Sequence, residues 1–322
     1  MLNFIYWPIS AILLFWHKAF SFVLDPDSGF TWVLAIIFLT FTIKALLVRP
    51  TIKQLRSGRK MQEMQPKMQE LRTKYKKDQQ KLMEETRKLQ KEMGVNPVAG
   101  CLPMLVQIPV FIGLFHVLRS FNRTGDGMGQ LGLSIEENYN TTNYIFGVDE
   151  VQSFLDATIF GVPLSSYLSM PEDMYAAFPN VDFSRIDIGF VAVPLVLIIA
   201  VATHFNARMS IERQQARIAS GKQAAPGGDN AQMMQNQMAM MNKMMLWVMP
   251  LTILFNGFLW HIGLLFYMVS NNIWTFFQNR WAFNKMDREE EAEEEARRAL
   301  KRTTAPAPGA RPVVAQKKKK RK

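Results

Sequence analysis

Cysteine is nearly absent: Cys101 stands alone in 322 residues, which excludes an intrachain disulfide and a cysteine-ligated metal cluster. It sits in an apolar run and reads as a small buried hydrophobe. Histidine is scarce as well. His17, His116, His204 and His261 lie far apart with no ligand spacing, so each reads as an interfacial or helix-packing residue. There is no Walker lysine motif, no glycine-rich dinucleotide turn and no hydrolase or kinase signature. The chain therefore reads as a non-enzyme that uses no cofactor and no metal. Basic residues, plentiful elsewhere, almost vanish from residues 120–187, which hold 2 Lys/Arg against 10 Asp/Glu.

What is present is apolar and segregated. Hydrophobic residues make up 48% of the chain, with 23 Phe and 21 Met, and they come in blocks separated by charged blocks. A soluble protein spreads such residues periodically, so this pattern makes the bilayer the solvent. Residues 30–52, 97–119 and 188–206 are apolar segments, and 244–280 holds a closely spaced pair meeting near His261. Each segment approaches the ~20 residues that cross ~30 Å of hydrocarbon. Residues 1–29 read either as an interfacial helix or as a sixth span, because Trp7, Pro8, Trp16, His17 and Lys18 interrupt an apolar run without the form of a cleavable signal.

Charge orients the spans. Residues 53–93 carry 13 Lys/Arg against 6 Asp/Glu, residues 207–243 carry 5 against 2, and residues 281–322 carry 13 against 7. Basic loops stay in the cytoplasm, so the acidic stretch 120–187 is extracytoplasmic and the C-terminus cytoplasmic. The net charge of +11 calls for an anionic partner, whether lipid headgroups, nucleic acid or acidic polypeptide. Within 53–96, Met61, Met64, Met68, Leu71 and Tyr75 recur at threes and fours, followed by Leu82, Leu89 and Met93. With a polar turn at Lys74–Asp78, this spacing predicts an antiparallel hairpin of two amphipathic helices; one long basic helix on the membrane is the alternative. Residues Gly221–Asn230 read as flexible. The Met- and Gln-rich stretch after them reads as adaptable apolar surface or as an extension of the next span. Lys317, Lys318, Lys319, Lys320, Arg321 and Lys322 end the chain as a basic run, suited to ribosomal RNA or anionic lipid through charge alone.

Lys44 is the informative residue. Nine positions before Lys53, it lies ~13 Å deeper along a helix, near the bilayer middle. A cation there costs roughly 2.5–3.5 kcal/mol on insertion scales, which points to a hydrated cavity or an anionic partner rather than snorkelling. Arg49, four residues from Lys53, snorkels with ease and is a secondary candidate charge. Gln107 places an amide at membrane depth between Pro103 and Pro109, and Asn271, Asn272 and Gln278 add amides to the last segment. These amides either line a polar concavity or hydrogen-bond helix to helix.

Four blocks, in order, resemble the YidC/Oxa/Alb membrane protein insertases. They are MQPKMQELRTKYKKDQQKL (Met64–Leu82), GVNPVAGCLPMLVQIPVFIGLFHVL (Gly94–Leu118), VMPLTILF (Val248–Phe255) and GLLFYMVSNNIWTFFQ (Gly263–Gln278). The resemblance implies an all-α membrane protein: a five-helix transmembrane core, a cytoplasmic helical hairpin and an N-terminal interfacial helix. It further implies a hydrophilic groove open to the cytoplasm and the inner leaflet, and a multi-pass place in a bacterial plasma membrane. The partners it implies are nascent integral membrane proteins, the Sec translocon, membrane lipids and the ribosome. By the pattern TFTIK, the family's groove arginine falls on Lys44, and Tyr267 falls near the family's substrate path. The chain resembles the Gram-positive type, without a large extracytoplasmic domain. A small-solute transporter or channel is the competing reading, although the paired broken-helix repeats of transporters are not seen. A ribosome-tethering scaffold is a third.

Overall fold

The computed structural model describes residues 3–94, 97–124, 131–222 and 231–304, at backbone level only for 97–106, 231, 234 and 301–304. The basic terminus Lys317–Lys322, most of Gly221–Asn230 and the Cys101 side chain lie outside that description. Helix dominates. Among the described residues, ten α-helices run in the order α1 (Asn3–Ser21), α2 (Gly29–Lys74), α3 (Gln79–Glu92), α4 (Pro97–Arg119), α5 (Ile135–Tyr139), α6 (Val148–Asp156), α7 (Arg185–Ala219), α8 (Ala231–Lys243), α9 (Met249–Asn256) and α10 (Ile262–Thr304). A two-residue antiparallel ladder, β1 (Thr158–Ile159) with β2 (Val162–Pro163), lies between α6 and α7.

Among the described residues, three helical runs are long and apolar enough to cross a membrane: Gly29–Lys74, Arg185–Ala219 and Gln235–Leu259. The described side chains of α4 form a shorter apolar helix, Gln107–Arg119. The chain is thus an all-α membrane protein.

The hairpin and the first span are not separate elements. α2 continues for 46 residues through Pro50 and Pro66, so the apolar segment passes into the basic one without a break. The chain then turns at Tyr75–Asp78, where the Asp78 carboxylate caps α3 by accepting from Lys81 N at 3.0 Å. α3 lies back along α2, with Met64 and Leu89 buried and Met61, Met68, Leu71 and Met93 packed around them. The seam is small, so its residues are individually important. Leu89→Ala is expected to cost about 2 kcal/mol, the low end for core truncation. Hydrogen exchange is expected to quicken throughout α3 and to stay unchanged in α6.

The Met-rich stretch after residue 230 is helical. α8 runs through a π turn (Met244–Val248) into α9, as an extension of the span. Met240, Met241, Met244, Met245, Trp247 and Met249 are exposed along it.

The acidic stretch folds into a compact cap. Phe121, Phe146, Phe154, Leu155, Ile159, Val162, Leu164, Met170 and Phe178 are buried in one core with Trp32, Ile36 and Leu39 of α2. Trp32 is the keystone. Its ring packs edge-on to Phe154 (5.0 Å) and stacks on His17 of α1 (3.8 Å), and its Nε1 donates to Ser153 Oγ at 3.1 Å. Ser153 Oγ in turn donates to the Pro26 carbonyl at 3.0 Å, and Lys18 pairs with Glu150. The cap also holds the start of α10: Ile262 N donates to Ser166 O (3.0 Å) and Gly263 N to Leu164 O (2.9 Å). Within the cap, Ser134 donates to Glu137 Oε2 from its backbone N (2.9 Å) and its hydroxyl (2.8 Å). These bonds hold the Glu137 carboxyl below its ordinary value.

The chain divides after Phe277 into two compact units. The second, Gln278–Lys322, is helical to Thr304 and carries an i,i+4 pair, Glu294 with Arg298, at 3.6 Å.

Candidate functional site

Three helices converge on Lys44. Its position follows from α2 alone: sixteen residues into a helix whose Gly29 end is fixed by the cap, the side chain is carried deep into the apolar segment. α4 places Gln107 opposite it, and α10 contributes Tyr267. Lys44 Nζ donates to Gln107 Oε1 at 3.0 Å, and Gln107 Nε2 donates to the Tyr267 hydroxyl at 2.8 Å. One amide thus uses both of its ends to join a cation to a phenol across three helices. Lys44 and Gln107 are half-buried, whereas Tyr267 is 2% exposed. The ring of Tyr267 rests on Phe111 at 6.5 Å, and Phe41 of α2 meets Trp274 of α10 at 5.3 Å. Phe111 thus flanks the phenol end of the polar chain. Among the described residues, no carboxylate pairs with the Lys44 ammonium, so its charge is free to act on something else.

The amides of α10 divide into two kinds. Asn272 is structural: its Oδ1 accepts from Thr203 Oγ1 and Asn206 Nδ2 of α7, each at 3.2 Å. Asn271, one turn beyond Tyr267, presents a buried Oδ1 with no partner among the described residues. A buried acceptor left open in this way calls for a water or a ligand donor. Arg49 is exposed. No group of three His, Cys, Asp or Glu able to hold a metal occurs among the described residues.

Comparison with known proteins identifies the family. The family model described as 60Kd inner membrane protein matches residues 23–290. The chain belongs to that family. Its matched range takes in the hairpin, the cap and all three members of the Lys44 trio. A relative from Mycobacterium tuberculosis (strain H37Rv), named membrane protein insertase YidC, is 45% identical over 311 residues, covering 97% of this chain and 80% of the relative. The protein of that name in Mycobacterium leprae is 42% identical over 313 residues, covering 97% and 77%. That in Corynebacterium efficiens is 30% identical over 288 residues, covering 86% and 67%. As a member of the 60Kd inner membrane protein family with apolar spanning helices, the chain is a multi-pass membrane protein.

Sequence reasoning named Lys44, Gln107, Tyr267 and Asn271 separately, and the structure brings the first three into one hydrogen-bonded chain. What it missed was Asn206 and Thr203. They lie in an otherwise apolar span, and their polarity was the available signal.

Proposed function

We propose that the chain is a membrane protein insertase. It receives nascent integral membrane proteins, alone or beside the Sec translocon, in a hydrophilic groove on the cytoplasmic side of a five-helix core. That core consists of α2, α4, α7, the run through α9, and α10 up to Phe277. The observation that carries the reading is the Lys44–Gln107–Tyr267 chain: a cation, an amide and a phenol linked at membrane depth, beside the open acceptor of Asn271. The names of the relatives support it.

The work is physical rather than catalytic. A wet groove in one leaflet shortens the hydrocarbon path a polar tail must cross. Lys44 lends positive charge where the effective dielectric is low, so an acidic tail pauses there at reduced cost. Asn271 offers a hydrogen-bond acceptor to the passing backbone. The substrate helix then leaves sideways, driven by burial of its apolar surface in lipid. The hairpin and the basic end of the chain face the cytoplasm by the distribution of Lys and Arg, and the cap closes the opposite side. The terminal Lys317–Lys322 run meets the ribosome or anionic lipid by charge.

The deciding experiment places the purified chain alone in liposomes and adds a radiolabelled small coat-type protein with an acidic translocated tail. Protease-protected substrate well above that in empty liposomes is the expected result. Protection no greater than in empty liposomes overturns autonomous insertion. Removing Lys317–Lys322 is expected to weaken co-sedimentation with ribosomes, with the deficit shrinking as salt rises. Equal binding at every salt concentration removes the tail from the mechanism.

A further inference from the structure

The tip of the cap's β-ladder is built against ordinary turn chemistry. Phe160 and Gly161 form the two-residue turn between β1 and β2, with φ of 52° and 80°. Both values lie in the left-handed region, which glycine and asparagine tolerate and a residue such as phenylalanine does not favour. The Phe160 ring nevertheless stands 81% exposed. A strained backbone that holds a large apolar side chain out into solvent invites a functional account.

The depth of this ring is fixed by its neighbours. Gly29 begins α2, a helix long and apolar enough to cross a membrane, and the apolar run of that helix starts there, on the cap's side. β1 lies directly on that glycine: a Cβ there would fall 2.0 Å from the Thr158 carbonyl oxygen. Phe30, the next residue, is 57% exposed, and its ring meets Phe160 edge-on at 6.3 Å. Phe22 and Val23, in the loop leading to the same helix end, are 90% and 86% exposed. The turn thus continues the apolar surface of the spanning helix at the level where aromatic side chains anchor proteins in bilayers.

We infer that Phe160, with Phe30, inserts into the lipid boundary on the cap's side of the membrane and seats the cap on the bilayer. The occupant is the zone between headgroups and acyl chains, and its fit is apolar and aromatic without lipid-class selectivity. The inference rests on α2 crossing the bilayer from its Gly29 end. It does not depend on the Lys44 groove.

The test uses the full chain with Cys101→Ser and a single nitroxide at Phe160→Cys, reconstituted in phosphatidylethanolamine–phosphatidylglycerol liposomes. A second chain carries the label at Thr141→Cys, a partly exposed cap position. Power saturation is expected to show the label at 160 reached by oxygen and shielded from a water-soluble nickel complex, and the label at 141 the reverse. Equal nickel access at both sites overturns the inference. Phe160→Asn supplies an independent readout, because asparagine suits this turn better. Turn preference alone predicts slower hydrogen exchange across Thr158–Leu164 in liposomes. Loss of a lipid anchor predicts exchange several-fold faster, and slower or unchanged exchange overturns the inference. Insertion activity is read in the same liposomes. Its absence beside a buried label counts against the insertase reading and leaves the lipid contact standing.

Discussion

Lys44→Ala is expected to abolish most insertion of substrates whose translocated tails are acidic, while leaving substrates with uncharged tails largely unaffected. The size follows from Coulomb attraction. Two unit charges about 4 Å apart at an effective dielectric of ~20 attract by about 4 kcal/mol. Even a third of that, retained after hydration and motion, corresponds to about tenfold in occupancy of the groove. Lys44→Arg keeps the charge and can still donate to Gln107 Oε1, so it is expected to insert acidic tails at a rate near that of the parent chain. The guanidinium adds a second pair of donors and binds carboxylate in a fork, so a modest gain is consistent with the charge role and a loss is not. The measurement is protease protection in liposomes, run with matched tails carrying zero, one and two acidic residues. A dependence on Lys44 that ignores tail charge would show that the side chain is structural. The hydrogen bond supplies that alternative, because removing Lys44 leaves Gln107 Oε1 without its donor.

The legibility of this site has a physical limit. Burying a cation at mid-span is costly in any context, so Lys44 declares itself in a single sequence. Gln107 and Tyr267 do not, because an amide or a phenol in a span is as readily a helix-packing group as a functional one. Asn271 and Asn272 make the point within one dipeptide. A rotation of about 100° separates their faces, and only packing decides that Asn272 meets α7 while the Asn271 acceptor is left open. The hairpin was readable because its seam repeats at helical spacing and its turn is polar: Met61, Met64, Met68 and Leu71 are among the residues that pack there. The cap was opaque for the opposite reason. Its α-helices are 5 and 9 residues long, its strands have two residues each, and its core joins Phe121, Phe146 and Phe154 across irregular chain. No period survives in segments that short. The unbroken length of α2 does not show in composition, which turns from apolar to basic near Lys53, and Pro50 and Pro66 lie inside the helix without ending it.

The cap and Lys44 meet in α2, and Gly29 tests how they are coupled. Replacing a helical glycine by alanine normally stabilises, by up to ~1 kcal/mol. At Gly29 the sign is expected to reverse. The new Cβ falls 2.0 Å from the Thr158 oxygen and 2.5 Å from its carbonyl carbon, both backbone atoms that cannot rotate aside. Either the β-ladder lifts or the helix start shifts, and overpacking of this kind costs about 3 kcal/mol. Gly58 is the internal control. It lies in the same helix, a Cβ there meets nothing within 4 Å, and Gly58→Ala is expected to raise the melting temperature slightly. Limited proteolysis should separate the two variants, with Gly29→Ala opening the cap to cleavage and Gly58→Ala leaving it closed. The decisive comparison is with Lys44→Ala. If the cap sets the height of α2, then Gly29→Ala lowers both melting temperature and insertion, because Lys44 is carried out of reach of Gln107. Lys44→Ala lowers insertion alone. Normal insertion by a Gly29→Ala chain with a loosened cap would mean that α2 holds its register through α4 and α10 without help from the cap.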